Sequence, residues 1–267
     1  MGLARVGTAG SGIGLLGASR PKIFRTNYNP VTALGSDLIE YWDANRADSI
    51  LETSDSTYSN VVSSWLGIVT GANLAQSTPN LKPVYDPTAF NGAPCITFDG
   101  VQQYLTCTDA GFLALLPQGS TACELWVLCS QDALSADATT RHAVGYANTS
   151  VINGRSVARL VVGGVNRGRT YTGTGAAATT ATDGGTDLSG IHVMRGIIGA
   201  AQSSIEVDGG AQTNASVVPV TSAPALFRVG AIPASAASNW WQGKVVAVLV
   251  TKPLTAQKAA DLHKYLG

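Results

Sequence analysis

The chain has 267 residues, enough for one domain with a full hydrophobic core. Its 17 Lys and Arg residues balance 17 Asp and Glu residues, so no basic surplus is left to neutralise phosphates, which argues against nucleic-acid binding. Only 13% of the residues are charged, against roughly 25% in an average globular domain. Because a weakly charged surface favours association, we expect a homo-oligomer or a subunit of a larger assembly.

Residues 1–36 differ in composition from the rest of the chain. Residues 1–19 are dominated by Gly, Ala and Ser, a composition with too little apolar surface to fold alone. The G-x-G-x-x-G pattern at 12–17 follows no strand, so no nucleotide site is predicted. The apolar run 7–18 has 12 residues, fewer than the roughly 20 that span a bilayer, so no membrane insertion is predicted.

These features predict an extended, Gly-rich anchoring arm that gains its order from a partner subunit. The arm carries a few basic and large apolar side chains that could dock on such a partner. The predicted docking residues are Arg5, Leu15, Leu16, Arg20, Lys22, Phe24, Arg25 and Tyr28.

From Asp37 onward, short alternating apolar runs are separated by turns, the pattern of β-strands. The predicted strands are 38–42, 61–66, 95–98, 122–130, 141–147, 156–162, 167–172, 191–198, 203–207, 226–229 and 244–250. The run 122–130 is apolar on both faces and should be buried on both. Asp208 and Gly209 accept positive φ and predict a hairpin turn. Thr170–Asp187, rich in Thr, Gly and Ala, is interpreted as a loop.

A single helix is predicted, at the C-terminal end of the sequence. Thr255 can cap its N-terminus, and Leu254 can form half of a hydrophobic staple. Ala259, Leu262 and Leu266 then follow helical spacing. With the regularly spaced short strands, this predicts an all-β sandwich or barrel that ends in a short helix.

The four cysteines do not suggest a disulfide framework or a zinc site. They are Cys95, Cys107, Cys123 and Cys129, with no C-x-x-C pair and no Cys/His cluster. Cys123 and Cys129 stand six residues apart on one predicted strand, about 20 Å, which is beyond disulfide reach. We interpret all four as small buried hydrophobic residues in a protein made in a reducing cytoplasm.

Three stretches share a recognisable pattern, namely LIEYWDANRAD at 38–48, VVSSW at 61–65 and NGAPCITFDGVQQYL at 91–105. Together they resemble the opening of concanavalin A-like, laminin-G-like domains. The end of the chain, WQGKVVAVLV at 241–250 followed by PLTA at 253–256, is similar to the closing strand and helix of such domains. The resemblance covers about residues 37–267 and implies a two-sheet antiparallel jelly-roll sandwich, with residues 1–36 as a separate arm.

Many domains of this kind belong to bacteriophage and gene-transfer-agent particles. The resemblance therefore implies a virion structural protein, such as a head or tail fibre, spike or decoration protein, made in the host cytoplasm. Its arm would bind other virion proteins, and its outer domain would bind a host surface polysaccharide, with many copies strengthening a weak affinity. The alternatives are a free carbohydrate-binding lectin module and a glycoside hydrolase.

Sugar recognition commonly uses an aromatic face with amide and charged partners. Trp240 and Trp241 are adjacent, so on a strand one should enter the core while the other is exposed or at a subunit contact. The predicted glycan-binding residues are Trp240, Trp241, Tyr146, Asn148, Arg169 and Tyr171. The simpler interpretation is that these aromatic residues only pack in the core.

Glycosidases with this sandwich fold resemble one another in carrying E-x-D-x-x-E on one strand. The nearest match here is Glu206-Val-Asp208, but Gly209 and Gly210 follow and the third carboxylate is missing. Asp208 is interpreted as a turn residue, and the chain is predicted not to be an enzyme. Two carboxyl groups about 5–10 Å apart in one groove would restore the hydrolase alternative.

The remaining candidate groups carry weaker signals. Four aspartates could gather around calcium, although each is more simply a turn or cap residue, and no cofactor is otherwise predicted. The aspartates are Asp43, Asp48, Asp99 and Asp109. His142 and His192 lie in predicted strands, and His263 lies on the terminal helix, where we interpret it as a surface residue. No triad is indicated among these histidines.

Overall fold

A computed structural model describes most of the chain from Tyr28 onward. The described residues are 28–53, 59–131, 139–148, 154–173, 178–183, 188, 190–216, 222–234 and 236–267. They contain 17 strands joined in one sheet. The predicted docking residues from Arg5 to Arg25 lie outside this described part of the chain.

The strands are short and follow one another closely along the sequence. In chain order they are β1 Leu38–Asp43, β2 Ile50–Thr53, β3 Val61–Leu66, β4 Asn73–Ala75, β5 Val84–Phe90, β6 Ala93–Asp99, β7 Leu105–Cys107, β8 Cys123–Gln131, β9 Arg141–Ala147, β10 Arg155–Val162, β11 Val165–Gly173, β12 Ala178–Thr182, β13 Ile191–Ile198, β14 Gln202–Val207, β15 Thr213–Ser216, β16 Leu226–Val229 and β17 Gln242–Thr251. The α-helices are α1 Pro30–Leu34, α2 Ala110–Leu113 and α3 Ala256–Leu266.

The strand pairing is antiparallel throughout the named strands. One part of the sheet has the order β15–β14–β13–β8–β17–β1. The other has the order β12–β11–β10–β9–β16–β7–β4–β3–β2. The β5–β6 hairpin pairs with both β3 and β17 and so joins the two parts.

The all-β class and the short C-terminal helix are therefore confirmed. Where two separate sheets were expected, the described strands form one continuous antiparallel sheet that is nearly closed on itself. The physical reason is the β5–β6 hairpin, whose backbone groups are shared between strands of both parts.

The two parts of the sheet face each other across the main hydrophobic core. The Thr170 hydroxyl on β11 donates a hydrogen bond to the Ser204 carbonyl on β14 at 2.7 Å. At Gly196 on β13, an added Cβ would lie 2.6 Å from a methyl carbon of Val157 on β10. The layers are thus close enough at this point that only glycine fits between them.

Strand β8 lies at the centre and is buried on both faces, as the sequence predicted. Its residues Leu125 and Val127 belong to the main core between the two layers. Trp126 and Leu128 point the other way, into a second apolar cluster beneath α3. One strand therefore supports two hydrophobic layers.

Helix α3 covers the second apolar cluster. Thr255 caps it by accepting a hydrogen bond from the Lys258 N–H at 3.3 Å, and Leu254 packs beside it, as predicted. The buried side of the helix is formed by Ala259, Leu262, Tyr265 and Leu266. All four cysteines are buried with free thiols, which confirms that they are small buried residues.

The last part of the predicted arm contacts the domain. Leu34 at the end of α1 is buried in the cluster beneath α3. The Tyr28 ring lies 5.1 Å from the Tyr265 ring, measured between centroids. Burial, with the neighbouring charge of Asp261, raises the Tyr28 pKa to about 12. Tyr28, a predicted partner contact, therefore packs on α3 of its own chain.

The loop prediction for Thr170–Asp187 was wrong in part. Residues 170–173 complete β11, and Ala178–Thr182 form β12, which pairs with β11. Segment β12 has no alternating apolar residues, so the pairing partner rather than the local pattern fixes its conformation. Within the described residues, no helix is long and apolar enough to cross a membrane.

Candidate functional site

A groove of about 760 Å³ lies between α3 and the outer face of β13 and β14. Its apolar lining comes from Leu128, Val193, Ala259 and Ala260. Its polar lining comes from His192, Arg195, Glu206, Asp208, Gln212, His263 and Lys264. We call this feature the α3 groove.

Arg195 holds two carboxylates together at the inner end of the α3 groove. It donates to Glu206 at 3.0 Å, and it donates to both oxygens of Glu124 at 2.8 and 3.1 Å. Its guanidinium lies 4.8 Å from the centre of the Trp126 ring. The three charged side chains are at most 8% exposed. This network fixes the position of Glu206 on the wall of the groove.

Glu206 has two further partners that come from other elements. His263 Nε2 on α3 lies 2.5 Å from Glu206 Oε1. Gln212 donates to Glu206 Oε2 at 3.1 Å. Burial alone would raise the pKa of Glu206, but hydrogen bonds from His263 and Gln212 and the charge of Arg195 outweigh it and lower the pKa. Glu206 is therefore ionised at neutral pH.

His192 and Asp208 form a second imidazole–carboxylate pair nearer to solvent. His192 Nδ1 lies 2.6 Å from Asp208 Oδ2, and the Val193 N–H donates to Asp208 Oδ1 at 2.8 Å. Burial works to raise the pKa of Asp208, but the bonds from His192 and Val193 lower it overall. The Asp208 side chain is 45% exposed and that of His192 is 15% exposed.

The end of β14 brings both carboxylates to the same groove. Glu206 lies on β14, Asp208 follows its last residue Val207, and both line the α3 groove. Asp208 and Gly209 have φ values of 52° and 71°, which confirms the predicted hairpin turn. Asp208 is thus both a turn residue and a groove residue. Two carboxylates therefore line one groove, which is the shared-groove part of the condition set for the hydrolase alternative.

Two of the predicted glycan-binding residues are core residues. Trp241 is fully buried, and Tyr146 is 3% exposed. The Tyr146 hydroxyl donates to the Pro117 carbonyl at 2.8 Å and lies 3.2 Å from Cys123 Sγ. Neither aromatic ring offers a face to a sugar. Of the two adjacent tryptophans, Trp241 is the one in the core and Trp240 is partly exposed.

Three other predicted residues surround His142 on the outer face of β9–β11. The Tyr171 ring lies 5.5 Å from the His142 ring, and Trp240 forms a β-bridge with His142. Arg169 donates to the hydroxyls of Thr140 and Thr182. Burial, reinforced by the Arg169 charge, lowers the pKa of His142 to about 3, so this imidazole is neutral. Asn148 follows the end of β9 and is partly exposed.

Sequence reasoning did not identify the α3 groove as a site. The sequence shows the spacing of Glu206 and Asp208, but the third carboxylate of the E-x-D-x-x-E pattern was sought on the same strand. The structure instead supplies Glu124 from β8 and Arg195 from β13. His263, interpreted as a surface residue, has a side chain only 12% exposed and packs 4.9 Å from the Trp126 ring. Long-range packing creates this site.

The four candidate calcium ligands each serve a local turn or helix. Asp43 accepts hydrogen bonds from Asn45 and Tyr41, and Asp48 pairs with Arg46. Asp99 accepts three backbone N–H bonds in the turn that follows it, and Asp109 caps α2. The described ranges contain no group of three or more His, Cys, Asp or Glu residues that could hold a metal ion.

No protein-family model matches the sequence, and no characterised protein sequence matches it significantly. The fold, however, is similar to several solved structures. The Trypanosoma rangeli sialidase in complex with sialic acid matches with a TM-score of 0.55 and 15% identity, over 85% of this chain and 32% of the sialidase. This chain thus spans about a third of that enzyme's length.

Two further matches have a closer correspondence in length. An arabinofuranosidase complexed with arabinofuranosyl-α-1,2-xylobiose gives a TM-score of 0.56 at 11% identity, over 86% of this chain and 59% of that one. Domain 4 of AbnA, an extracellular GH43 arabinanase from Geobacillus stearothermophilus, was solved with arabinotriose. It gives a TM-score of 0.52 at 14% identity and covers 85% of this chain and 98% of that domain. At sequence identities this low, the matches show a similar fold and nothing more.

These matches contradict the prediction that the chain is not an enzyme. That prediction used the missing E-x-D-x-x-E pattern to separate this chain from glycosidases of similar fold. The fold is nevertheless found within a sialidase and an arabinofuranosidase. The missing pattern therefore does not set the chain apart from proteins that act on carbohydrates.

Proposed function

We propose that the protein binds carbohydrate in the α3 groove. The observation that carries this proposal is the pair of ionised carboxylates, Glu206 and Asp208, in a groove that is also lined by apolar side chains. Sugar hydroxyls donate hydrogen bonds to carboxylates, and the C–H faces of a sugar ring pack on apolar side chains. Gln212 and Lys264 supply donors to the sugar oxygens.

The size of the α3 groove suits a short oligosaccharide. Its volume of about 760 Å³ lies within the roughly 300–1,000 Å³ typical of small-molecule sites. Asp208 retains free acceptor capacity because its side chain is nearly half exposed. Glu206 is more fully occupied by Arg195, His263 and Gln212, so we assign the main hydroxyl contact to Asp208.

The comparisons support a carbohydrate-binding role for a fold of this kind. Domain 4 of the arabinanase corresponds to this chain over almost its whole length and was solved with arabinotriose bound. The sialidase and arabinofuranosidase were solved with sugars as well.

The test is a titration of the full chain with a panel of neutral and acidic oligosaccharides, followed by calorimetry. We expect Asp208→Asn to weaken binding at least tenfold, since it replaces a charged acceptor by a neutral one at constant shape. Asp48→Asn, a matched change at an exposed ion pair far along the chain, should bind like the parent. Equal affinity for parent and Asp208→Asn would overturn the proposal for this groove.

A second variant distinguishes the two candidate surfaces. Tyr171→Ala removes the partly exposed ring on the outer face of β11 and leaves the α3 groove intact. We expect its sugar affinity to be unchanged. Loss of binding in Tyr171→Ala, with retention in Asp208→Asn, would move the sugar site to the surface around His142.

A more specific proposal is that the domain is a jelly-roll sandwich, that it is carried on a phage-like particle, and that its N-terminal residues anchor it there. This proposal is supported by the resemblance of residues 38–48, 61–65 and 91–105 to domains of such particles. Fractionation of native particles tests it, with a variant lacking residues 1–27 alongside the full chain. Full-length protein on particles and loss of the variant would support anchoring. Full-length protein found only in the soluble fraction would contradict it.

A further inference from the structure

We propose that the α3 groove also hydrolyses acyl esters of carbohydrates, with His192 as the general base and Asp208 as its positioning residue. The inference rests on the proposed function, because the sugar bound in the groove would carry the ester. The site is distinct from the missing glycosidase pattern, since it uses an imidazole to activate water.

The geometry of the His192–Asp208 pair is that of an oriented base. The His192 Nδ1–H donates to Asp208 Oδ2 at 2.6 Å, and the Val193 N–H fixes the other carboxylate oxygen at 2.8 Å. With Nδ1 protonated, Nε2 carries the lone pair of the neutral imidazole. Within the described part of the chain, Nε2 has no hydrogen-bond partner, and the ring lines the α3 groove. Nε2 is therefore available to a water molecule.

The charge state of the groove favours ester over glycoside hydrolysis. Cleavage of a glycosidic bond by a carboxyl pair needs one carboxylic acid to protonate the leaving oxygen. The two carboxyl groups that line the groove, Glu206 and Asp208, both have lowered pKa values and are ionised at neutral pH. Ester hydrolysis needs no separate acid, because the imidazolium formed in the first step can return its proton.

The proposed step balances with water as the only co-reactant. As the water oxygen bonds to the ester carbonyl carbon, His192 Nε2 takes a proton and the carbonyl π electrons move to oxygen. The tetrahedral intermediate then collapses, the bond from carbon to the sugar oxygen breaks, and the imidazolium protonates that oxygen. Asp208 stays ionised and stabilises the imidazolium. The products are a carboxylic acid and a free sugar hydroxyl.

Lys264 completes the arrangement as a cation near the developing oxyanion. It lines the same groove, is exposed, and forms no ion pair with any other described residue. Arg195 is unsuitable for this role, because each of its three side-chain nitrogens already donates to Glu124 or Glu206. An ammonium group on a flexible side chain can follow the carbonyl oxygen as it gains charge.

The experiment measures acetate release by the full chain from acetylated xylo-oligosaccharides and from p-nitrophenyl acetate at neutral pH. We expect release from both substrates. His192→Gln should lower kcat at least 100-fold, within the range of a general base. Asp208→Asn should lower kcat less and leave the KM for p-nitrophenyl acetate unchanged, because Asp208 acts on this sugar-free substrate only by orienting the imidazole.

Controls separate the catalytic inference from the binding proposal. Asp48→Asn should retain full activity, and circular dichroism checks that His192→Gln and Asp208→Asn are folded. Acetate release that is equal in His192→Gln and parent overturns the inference. No release by a protein that binds the unacetylated sugars also overturns it and leaves the proposed function standing. Absence of sugar binding overturns the proposed function and, with it, the ester substrate class.

Discussion

Removing the central cation of the α3 groove should strongly destabilise the protein. Arg195→Met keeps most of the side-chain volume but deletes three hydrogen bonds, two to Glu124 and one to Glu206. Glu124 is then left with the Trp126 and Leu254 N–H groups as donors, while its charge stays buried. Breaking a buried ion pair from one side costs about 3–5 kcal/mol. Against a typical total stability of roughly 5–15 kcal/mol, such a loss would be large.

Urea denaturation followed by tryptophan fluorescence measures this loss. With an m-value of about 3 kcal/mol/M, the midpoint should fall by about 1–1.7 M. Arg46→Met is the matched control, because Arg46 and Asp48 form an ion pair with side chains 48% and 70% exposed. Such an exposed pair contributes about 0–1 kcal/mol. A loss below about 1 kcal/mol for Arg195→Met would refute the idea that this network holds the groove together.

Three further predictions concern a loop, a helix cap and acid stability. Gly67→Ala should cost about 1–3 kcal/mol, because the added methyl would lie 2.5 and 2.7 Å from the carboxylate oxygens of Glu40; an unchanged urea midpoint would contradict this. Thr255→Ala should lower stability by about 1 kcal/mol through loss of the α3 cap, while Thr255→Ser should retain it in thermal melts. Glu206 has a lowered pKa when folded, so its stabilisation is present above its unfolded pKa of about 4.3 and is lost as pH falls further. Parent and Glu206→Gln should therefore differ in stability at pH 7 and converge in acid; a difference that grows below pH 4 would contradict the assignment.

The strands that sequence reasoning found are those with a clear apolar pattern of their own. Strand β8 is the best case, since Leu125 and Trp126 are apolar neighbours that serve two different layers. Strands such as β5 and β12 were missed for a physical reason. Pro87 interrupts the apolar pattern in β5, where the register shifts, and β12 is defined by its pairing with β11.

Less of the candidate site than of the fold could be predicted from the sequence. The sequence shows Glu206 and Asp208 close together, and the hairpin turn at Asp208 was predicted correctly. The local sequence did not indicate which side chains form hydrogen bonds and ion pairs with these two carboxylates. His192 and Arg195 reach the site through the pairing of β13 with β14, and His263 reaches it through the docking of α3. These are long-range contacts without a local signature.

The burial of β8 on both faces has a consequence for how ligand binding can be observed. A strand with no solvent face, hydrogen-bonded on both edges to β13 and β17, should exchange its amide protons only when the whole domain opens. Its exchange rates then report global unfolding and serve as an internal standard. A sugar in the α3 groove should slow exchange in α3 and the β14 turn relative to that standard, which locates the site without any substitution.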